Sequence, residues 1–334
     1  MKIRSLKTIT ALILTLVVSK TAFAATPPKI VIGYQNIPNG EIIAKTKGWY
    51  ESELGAPVEF KQFDSGRDVN TAFVSGSVDF GLLGTAPAAV GISAGVPYEV
   101  FWIHDVIGAA ESLVVKNSSG VKDISGLVGK KIAAPFASTA HYSLLAAIEL
   151  AGVDASTISI IDLQPPDILA AWKRGDIDGA YVWHPTLASL LEDGTVITDS
   201  ALLAGKGVLT ADVGVVRRDF ARDYPEVAAR YVAIQKKAIE LYRSDPNAAA
   251  EAIVSQFGIT PREALEQARQ LIWLLPSEQA VPQYLGTPGA PGKLAETLKS
   301  TADFLVTQGS IEKAASVEDF KKAVNPAFLT ASPK

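Results

Sequence analysis

Two sets of side chains in this sequence could carry catalytic chemistry. Gly91-Ile-Ser-Ala-Gly95 matches the G-x-S-x-G pattern of serine hydrolases, which needs a strand directly before the serine and a helix directly after it. Here Pro87 opens a helix, so Ser93 falls inside or at the end of that helix. The histidines are His104, His141 and His184. They are widely spaced without a metal-ligand pattern, which favours hydrogen-bonded lining or surface residues. We therefore predict no catalytic residue, no metal and no cofactor, and hence not an enzyme.

Two predicted strand-to-helix turns carry a stronger signal, for binding an anion. One is Gly84-Thr-Ala-Pro87 and the other is Ala137-Ser-Thr-Ala-His141. Free N–H groups and the positive dipole end at a helix start can hold an anionic group without an arginine. The alternative is simple N-capping by Thr85 and Ser138. If the two turns face one cleft, they would clamp a tetrahedral anion from two sides.

The elements that must position these turns alternate between strand and helix. This alternation predicts an α/β fold with mostly parallel sheets flanked by helices, followed by a strongly helical region after Arg217. Ligands of such sheets bind beyond the carboxyl ends of the strands. The predicted strands are Lys29–Tyr34, Val58–Phe63, Phe80–Gly84, Lys131–Ala134, Ile158–Leu163 and Ala180–Trp183.

Two similar segments predict how the chain divides into lobes. Ser112–Lys116 and Val213–Arg217 are both apolar strands that end in a cation. We interpret them as crossing strands that leave one lobe and return to it, forming a hinge. Residues 113–213 then form lobe II, and residues 25–112 with 214–334 form a discontinuous lobe I. The alternative is two ordinary core strands. In this division the two anion-binding turns come from opposite lobes.

The N-terminus has the layout of a secretory signal peptide. Lys2, Arg4 and Lys7 precede an apolar run from Ile9 to Val18, and small residues give an A-x-A pattern ending at Ala24. The run is far shorter than the ~20 residues of a membrane-spanning helix. We predict cleavage after residues 1–24 and export of the remainder.

Composition restricts the functions that remain. The sequence has no cysteine, which excludes disulfides, thiol catalysis and a lipid-acceptor cysteine, so we expect a freely diffusing monomer in a periplasm. The formal net charge is −4, and removal of the four cations of the signal peptide leaves −8. An acidic protein without a basic stripe is a poor partner for nucleic acid.

Several segments resemble the taurine-binding subunits of ABC importers, within the wider family of sulfonate, nitrate and taurine binders. The similarity runs from about Ile30 to Phe220. The most specific block is Ala170-Ala-Trp-Lys-Arg-Gly-Asp-Ile-Asp-Gly-Ala-Tyr-Val-Trp183. The other segments are Phe63-Asp-Ser-Gly66, Gly129-Lys-Lys-Ile-Ala133, Ser138-Thr-Ala-His-Tyr-Ser-Leu-Leu-Ala-Ala147 and Leu163-Gln-Pro-Pro166. The resemblance implies a two-lobed periplasmic binding protein fold of type II that closes on taurine and delivers it to a membrane permease driven by an ATPase.

The resemblance also implies a set of ligand-binding residues. An anion side would use Thr85 and Ala86, Ser138 and Thr139, with an amide from Gln35. An ammonium side would use Glu111 and Asp212, and Trp183 with Tyr142 would form an aromatic wall. Taurine carries a sulfonate and an ammonium, and burying both ends requires a partner for each. The alternative for Glu111 and Asp212 is ordinary surface acids.

Other ligands and one other class of protein stay open at this stage. Departures from the family at His184, at Gly214 and in Asn36–Gly40 leave room for another sulfonate. Glycine betaine would need an aromatic cage, for which Tyr34, Trp102 and Trp183 are candidates. Nitrate lacks an ammonium and would not use the two acids. An enzyme of the same fold, such as a thiamine-pyrimidine synthase, is opposed by the export signal.

Overall fold

The structure is a computed structural model that describes residues 26–331. The predicted signal peptide, residues 1–24, lies outside the described residues. The strands are β1 Ile30–Gln35, β2 Val58–Phe63, β3 Phe80–Gly84, β4 Tyr98–Ile107, β5 Glu111–Lys116, β6 Lys131–Ala134, β7 Ser159–Asp162, β8 Gly179–Trp183, β9 Gly194–Asp199, β10 Ala211–Arg217, β11 Leu271–Ile272, β12 Gly286–Thr287 and β13 Ala290–Pro291.

Helices occupy much of the remaining chain, with four short 3₁₀ turns between them. No helix within residues 26–331 combines the length and the apolar character needed to cross a membrane. The helices are α1 Gly40–Thr46, α2 Trp49–Glu53, α3 Gly66–Val74, α4 Thr85–Ser93, α5 Thr139–Leu150, α6 Pro165–Arg174, α7 Thr186–Leu190, α8 Ser200–Ala204, α9 Arg218–Asp223, α10 Pro225–Ser244, α11 Pro246–Phe257, α12 Pro261–Ala268, α13 Pro276–Gln279, α14 Leu294–Thr307 and α15 Val317–Ala323.

The strands form a six-stranded sheet, a five-stranded sheet and the small β12–β13 hairpin. The larger sheet has the order β11-β4-β10-β3-β1-β2, and the smaller one has the order β7-β6-β8-β5-β9. All residues of β1 and β3 are buried, as expected for strands covered by helices on both faces. In the smaller sheet Leu113 and Val115 pack on one face and Val114 on the other. The predicted α/β fold, with two sheets flanked by helices, is confirmed.

The sheets are mixed rather than mostly parallel. Strands β2, β1 and β3 are parallel, as are β7, β6 and β8. The strands β10 and β5 run against their neighbours, β10 against β3 and β4, and β5 against β8 and β9. Their starting residues explain the direction: Asp212 pairs with Gly84 at the end of β3, and Glu111 pairs with Trp183 at the end of β8. A strand that begins where its neighbour ends must run antiparallel to it.

The chain passes twice between the two sheets, and the passages differ from the predicted crossing strands. It leaves the larger sheet through residues 108–110 and returns through residues 205–210. The two passages are joined where the Ile107 amide donates to the Thr210 carbonyl oxygen at 3.0 Å. The predicted crossing strands Ser112–Lys116 and Val213–Arg217 each lie within one sheet, in β5 and β10, because strand pairing begins directly after each passage. The lobe boundaries at 112/113 and 213/214 stay a prediction.

Candidate functional site

A cavity lies where strands of both sheets begin or end. It encloses about 440 Å³, including space open to solvent. The larger sheet contributes the end of β1, the end of β3 and the start of β10, and the smaller sheet contributes the start of β5 and the end of β8. Six of the nine predicted site residues line it: Gln35, Glu111, Ser138, Thr139, Trp183 and Asp212.

The other three predicted site residues lie outside the cavity wall. The Thr85 side chain turns toward the larger sheet, where its Oγ1 accepts a hydrogen bond from the Ala211 amide at 3.3 Å. Ala86 and Tyr142 pack together with Leu305 of α14. The Tyr142 ring stands edge-on to Phe304, with 5.2 Å between ring centroids. Tyr142 therefore belongs to an apolar contact with α14 and not to an aromatic wall of the cavity.

Three helix starts meet at one side of the cavity. A Cβ atom added at Gly84, which precedes α4, would lie 2.5 Å from Thr139 Cγ2 at the start of α5. A Cβ atom added at Gly66, the first residue of α3, would lie 2.5 Å from Pro87 Cγ. The glycines therefore let the three backbones approach closely. The first N–H groups of a helix have no partner within the helix, so this side of the cavity is suited to an anion.

The hydroxyl groups at these helix starts are already engaged, which changes their predicted role. Ser138 caps α5, since its Oγ accepts from the His141 amide at 3.1 Å and donates to the Pro135 carbonyl oxygen at 2.5 Å. Thr139 Oγ1 donates to Glu111 Oε2 at 2.5 Å. The capping alternative is thus the observed role of the Ser138 side chain, and backbone N–H groups are left as the anion donors. No side-chain cap is present on α4.

Carboxyl groups concentrate on another part of the wall. Glu111 and Asp212 line the cavity and are almost fully buried, so the surface-acid alternative is wrong. Glu111 is held by hydroxyls, with Thr139 on one oxygen and Ser200 Oγ donating to Oε1 at 3.1 Å. Asp105, which sequence reasoning did not select, lies directly opposite Asp212 in the β4–β10 pair. None of these three carboxyl groups takes part in an ion pair with a residue between 26 and 331.

Burial without a cation makes these acids hard to ionise. Burial, reinforced by the neighbouring Asp212 carboxylate, raises the pKa of Glu111 to about 8, although the Thr139 and Ser200 hydroxyls oppose the shift. Burial also raises the pKa of Asp212 and of Asp105. A buried carboxylate needs a charged partner or a dense set of hydrogen-bond donors. A cation entering the cavity would supply that partner to Glu111 and Asp212.

Two other cavity residues, Gln35 and His184, are held in place by hydrogen bonds. Gln35 Nε2 donates to the Leu82 carbonyl oxygen at 3.0 Å. His184 Nε2 lies 3.1 Å from Gln270 Oε1, a contact between the end of β8 in one sheet and the residue before β11 in the other. Burial lowers the pKa of His184 to about 4, so the ring is neutral at pH 7. The sequence analysis had predicted a hydrogen-bonded lining or surface residue here, and His184 is a cavity residue hydrogen-bonded to Gln270.

The catalytic motif considered for Ser93 does not have an elbow geometry. Ser93 is the last residue of α4, and its Oγ accepts from the Ala315 amide at 3.2 Å. His104 and His141 are buried, and the His141 ring stacks on Phe136 with 4.2 Å between centroids. Burial lowers the pKa of His104 to about 3 and that of His141 to about 4. Ser93 is therefore held by a hydrogen bond, and the two histidines are held by packing within the fold.

Residues 28–253 match the family described as the substrate binding domain of ABC-type glycine betaine transport system. The chain belongs to this family. Its sequence is 36% identical to the taurine-binding periplasmic protein of Escherichia coli K12, over 92% of this chain and 95% of that protein. The family is described as a substrate-binding domain of ABC-type transport, and this chain is therefore a substrate-binding protein of that family. The predicted family is confirmed.

Solved structures show the same fold around the cleft of this substrate-binding protein. The alkanesulfonate-binding protein SsuA from Xanthomonas axonopodis pv. citri, bound to MOPS, superposes with a TM-score of 0.76 at 20% identity, covering 90% of this chain and 99% of that one. The desulfurization enzyme DSZB gives a TM-score of 0.61 at 15% identity, covering 91% and 98%. The fold is therefore shared by binding proteins and by enzymes, and the site must decide between them.

Proposed function

We propose that this protein captures taurine in the periplasm and delivers it to the permease of an ABC importer. The observation that carries the proposal is the pairing, in one cavity, of two helix starts, of which that of α4 has no side-chain cap, with buried carboxyl groups that form no ion pair with the described residues. The sulfonate would bind at the starts of α4 and α5. The ammonium would bind Glu111 and Asp212, with Gln35 and Trp183 on the wall between. The similarity to the taurine-binding protein of E. coli supports this choice.

The cavity argues against the other ligands considered. Glycine betaine would need several aromatic faces around its quaternary amine. Among the described residues, Trp183 is the one tryptophan, tyrosine or phenylalanine on the cavity wall. Trp102 is fully buried in the larger core, and Tyr34 also packs there. An alkanesulfonate or nitrate has no ammonium and so would make no charge-assisted contact with Glu111 and Asp212, whereas taurine would.

We propose that the protein acts by closing around its ligand and not as an enzyme. Contacts between the two sides of the cleft would stabilise the closed form, including Arg67 with Asp162 at 2.7 Å and His184 with Gln270 at 3.1 Å. The lobes would be residues 25–112 with 214–334, and residues 113–213, moving about the passages near Ile107 and Thr210. A free monomer would suit a diffusing carrier.

The first test is calorimetric titration of the mature protein. We expect taurine to bind with a dissociation constant at or below micromolar. Seven heavy atoms at up to ~1.5 kcal/mol each set a ceiling of about 10 kcal/mol. Propane-1-sulfonate replaces the ammonium by a methyl group, and it should bind at least about a hundredfold more weakly, as should glycine betaine and nitrate. Tighter binding of glycine betaine than of taurine, or no heat and no thermal shift with taurine, would refute the proposal.

A second test concerns the close approach of the two helix starts. Gly84→Ala should weaken taurine binding by about tenfold or more, because the added Cβ would lie 2.5 Å from Thr139 Cγ2 and force α4 and α5 apart. The double variant Gly84→Ala with Thr139→Ser should recover most of the affinity. Serine removes Cγ2 but keeps the hydroxyl that holds Glu111. Isothermal calorimetry checks both variants, and equal losses in the single and double variants would contradict the steric argument.

A further inference from the structure

Asp105 is a buried acid that has no role in the proposed binding of taurine by Glu111 and Asp212. It lies near the end of β4, directly opposite Asp212 of β10, and its side chain is completely buried. It does not line the cavity itself. Two carboxyl groups held side by side in a low-dielectric interior cannot both ionise without a large repulsion. The pair therefore needs a proton or a cation.

The hydrogen bonds around Asp105 show where that proton belongs. Its Oδ2 accepts from Asn39 Nδ2 at 3.1 Å. Asn39 is itself fixed as the cap of α1, since its Oδ1 accepts from the Glu41 amide at 3.1 Å. The other oxygen, Oδ1, is buried and accepts no N–H or O–H from residues 26–331. A proton on Oδ1 would satisfy this atom if it were donated to Asp212, which lies directly opposite in the β4–β10 pair and interacts with Asp105.

We propose that Asp105 stays protonated and donates a hydrogen bond to the Asp212 carboxylate, as a positioning residue for the carboxylate that contacts the ligand's ammonium. The inference rests on the proposed function for the identity of the ligand. The two acids then present one negative charge to the cleft and not two.

The groups that surround the pair favour the neutral form of Asp105. Glu111 of β5 and Glu41 of α1 are both buried acids, and the partner across the strands is Asp212. His104, the neighbour of Asp105 on β4, is neutral because burial lowers its pKa to about 3. Lys45 is a cation that acts on Glu41. Burial and the Asp212 charge raise the pKa of Asp105 well above its ordinary value, in agreement with this assignment.

The decisive variant is Asp105→Asn, compared with Asp105→Ala. Asparagine can still accept from Asn39 and can donate an amide N–H to Asp212, so taurine affinity should stay within about threefold of wild type. Alanine removes the donor, so taurine affinity should fall about tenfold while the affinity for propane-1-sulfonate changes less than threefold. A loss in Asp105→Asn as large as in Asp212→Asn would show that Asp105 acts as a charged ligand. An unchanged ratio of taurine to propanesulfonate affinity in Asp105→Ala would refute the positioning role.

A measurement without ligand keeps this inference separate from the proposed function. Carboxyl-carbon NMR of the wild-type protein labelled at aspartate should show one aspartate that remains protonated at pH 7, and Asp105→Asn should remove its signal. If every aspartate is ionised at pH 7, the inference fails even if taurine binds. If the protonated signal is present and taurine does not bind, the proposed function fails and the protonated pair stands.

Discussion

Replacing Asp212 with asparagine should weaken taurine binding by at least about thirtyfold and change the affinity for propane-1-sulfonate by less than threefold. Asp212 lines the cavity, is buried, and has no cation partner among the described residues. It would therefore interact with the ammonium as an isolated charge pair. Losing one member of such a buried pair costs about 2–5 kcal/mol, and 1.4 kcal/mol corresponds to a factor of ten. Calorimetry with both ligands measures the two changes directly.

The comparison of two ligands separates a lost charge interaction from a damaged fold. Propane-1-sulfonate keeps the sulfonate and the chain length of taurine, so it reports the anion side alone. Asp176→Asn is a suitable control, because Asp176 is exposed and pairs with Arg174 at 2.7 Å on the surface. It should leave both affinities unchanged. Equal losses of taurine and propane-1-sulfonate affinity in Asp212→Asn would remove Asp212 from the ammonium subsite.

The strand ends explain why much of the site could be predicted from sequence. Gln35, Glu111, Trp183 and Asp212 stand at the first or last position of strands, or next to it. Strand termini on the ligand side of an α/β sheet converge on one cleft, whichever direction each strand runs. A motif that marks a strand end therefore also marks the cavity. The antiparallel strands β5 and β10 follow the same rule, because their starting ends pair with the ends of β8 and β3.

The sequence located the two helix starts, but it did not predict the contacts that the Thr85 and Tyr142 side chains make. The orientation of Thr85 is set by the start of β10, and the surroundings of Tyr142 are set by Phe304 and Leu305 of α14. These contacts join segments more than 120 residues apart. Local sequence around a turn carries no information about such packing. The engagement of Ser138 with Pro135, by contrast, is local and follows the capping alternative.

Asp105 shows a different limit of sequence reasoning. It lies in the strand Tyr98–Ile107, which also holds Glu99, and the two acids in this strand form no recognisable motif. Its significance comes from the register of β4 against β10, which places it opposite Asp212. The β4–β10 pairing includes two irregularities in register, so counting along the strands from sequence would not align the two acids. Only the folded structure brings this pair together.

The ligand-free protein should become less stable as the pH rises from about 6.5 to 8. Burial raises the pKa of Glu41 and of Glu111 to about 8 and also raises that of Asp105 and Asp212, so the folded state holds protons that the unfolded state has released. Stability falls with pH wherever the folded state binds more protons, by up to about 1.4 kcal/mol per pH unit for each group. The buried histidines have lowered pKa values, so they act in the opposite direction, but only below about pH 6.5.

Urea unfolding at several pH values in this window tests the argument, and taurine should reverse the trend. Glu111→Gln removes one of the groups, so its ligand-free stability should fall less steeply with pH than that of wild type. Taurine supplies the missing cation to Glu111 and Asp212, so its binding favours their ionised forms over their protonated forms. Its affinity for wild type should therefore rise with pH, and the stabilisation at a fixed taurine concentration should rise with it. Propane-1-sulfonate affinity should not rise in this way. Two results would contradict the argument: a ligand-free stability that increases from pH 6.5 to 8, or a pH slope of Glu111→Gln equal to that of wild type. Either result would mean that the cleft acids are already ionised before the ammonium of taurine binds.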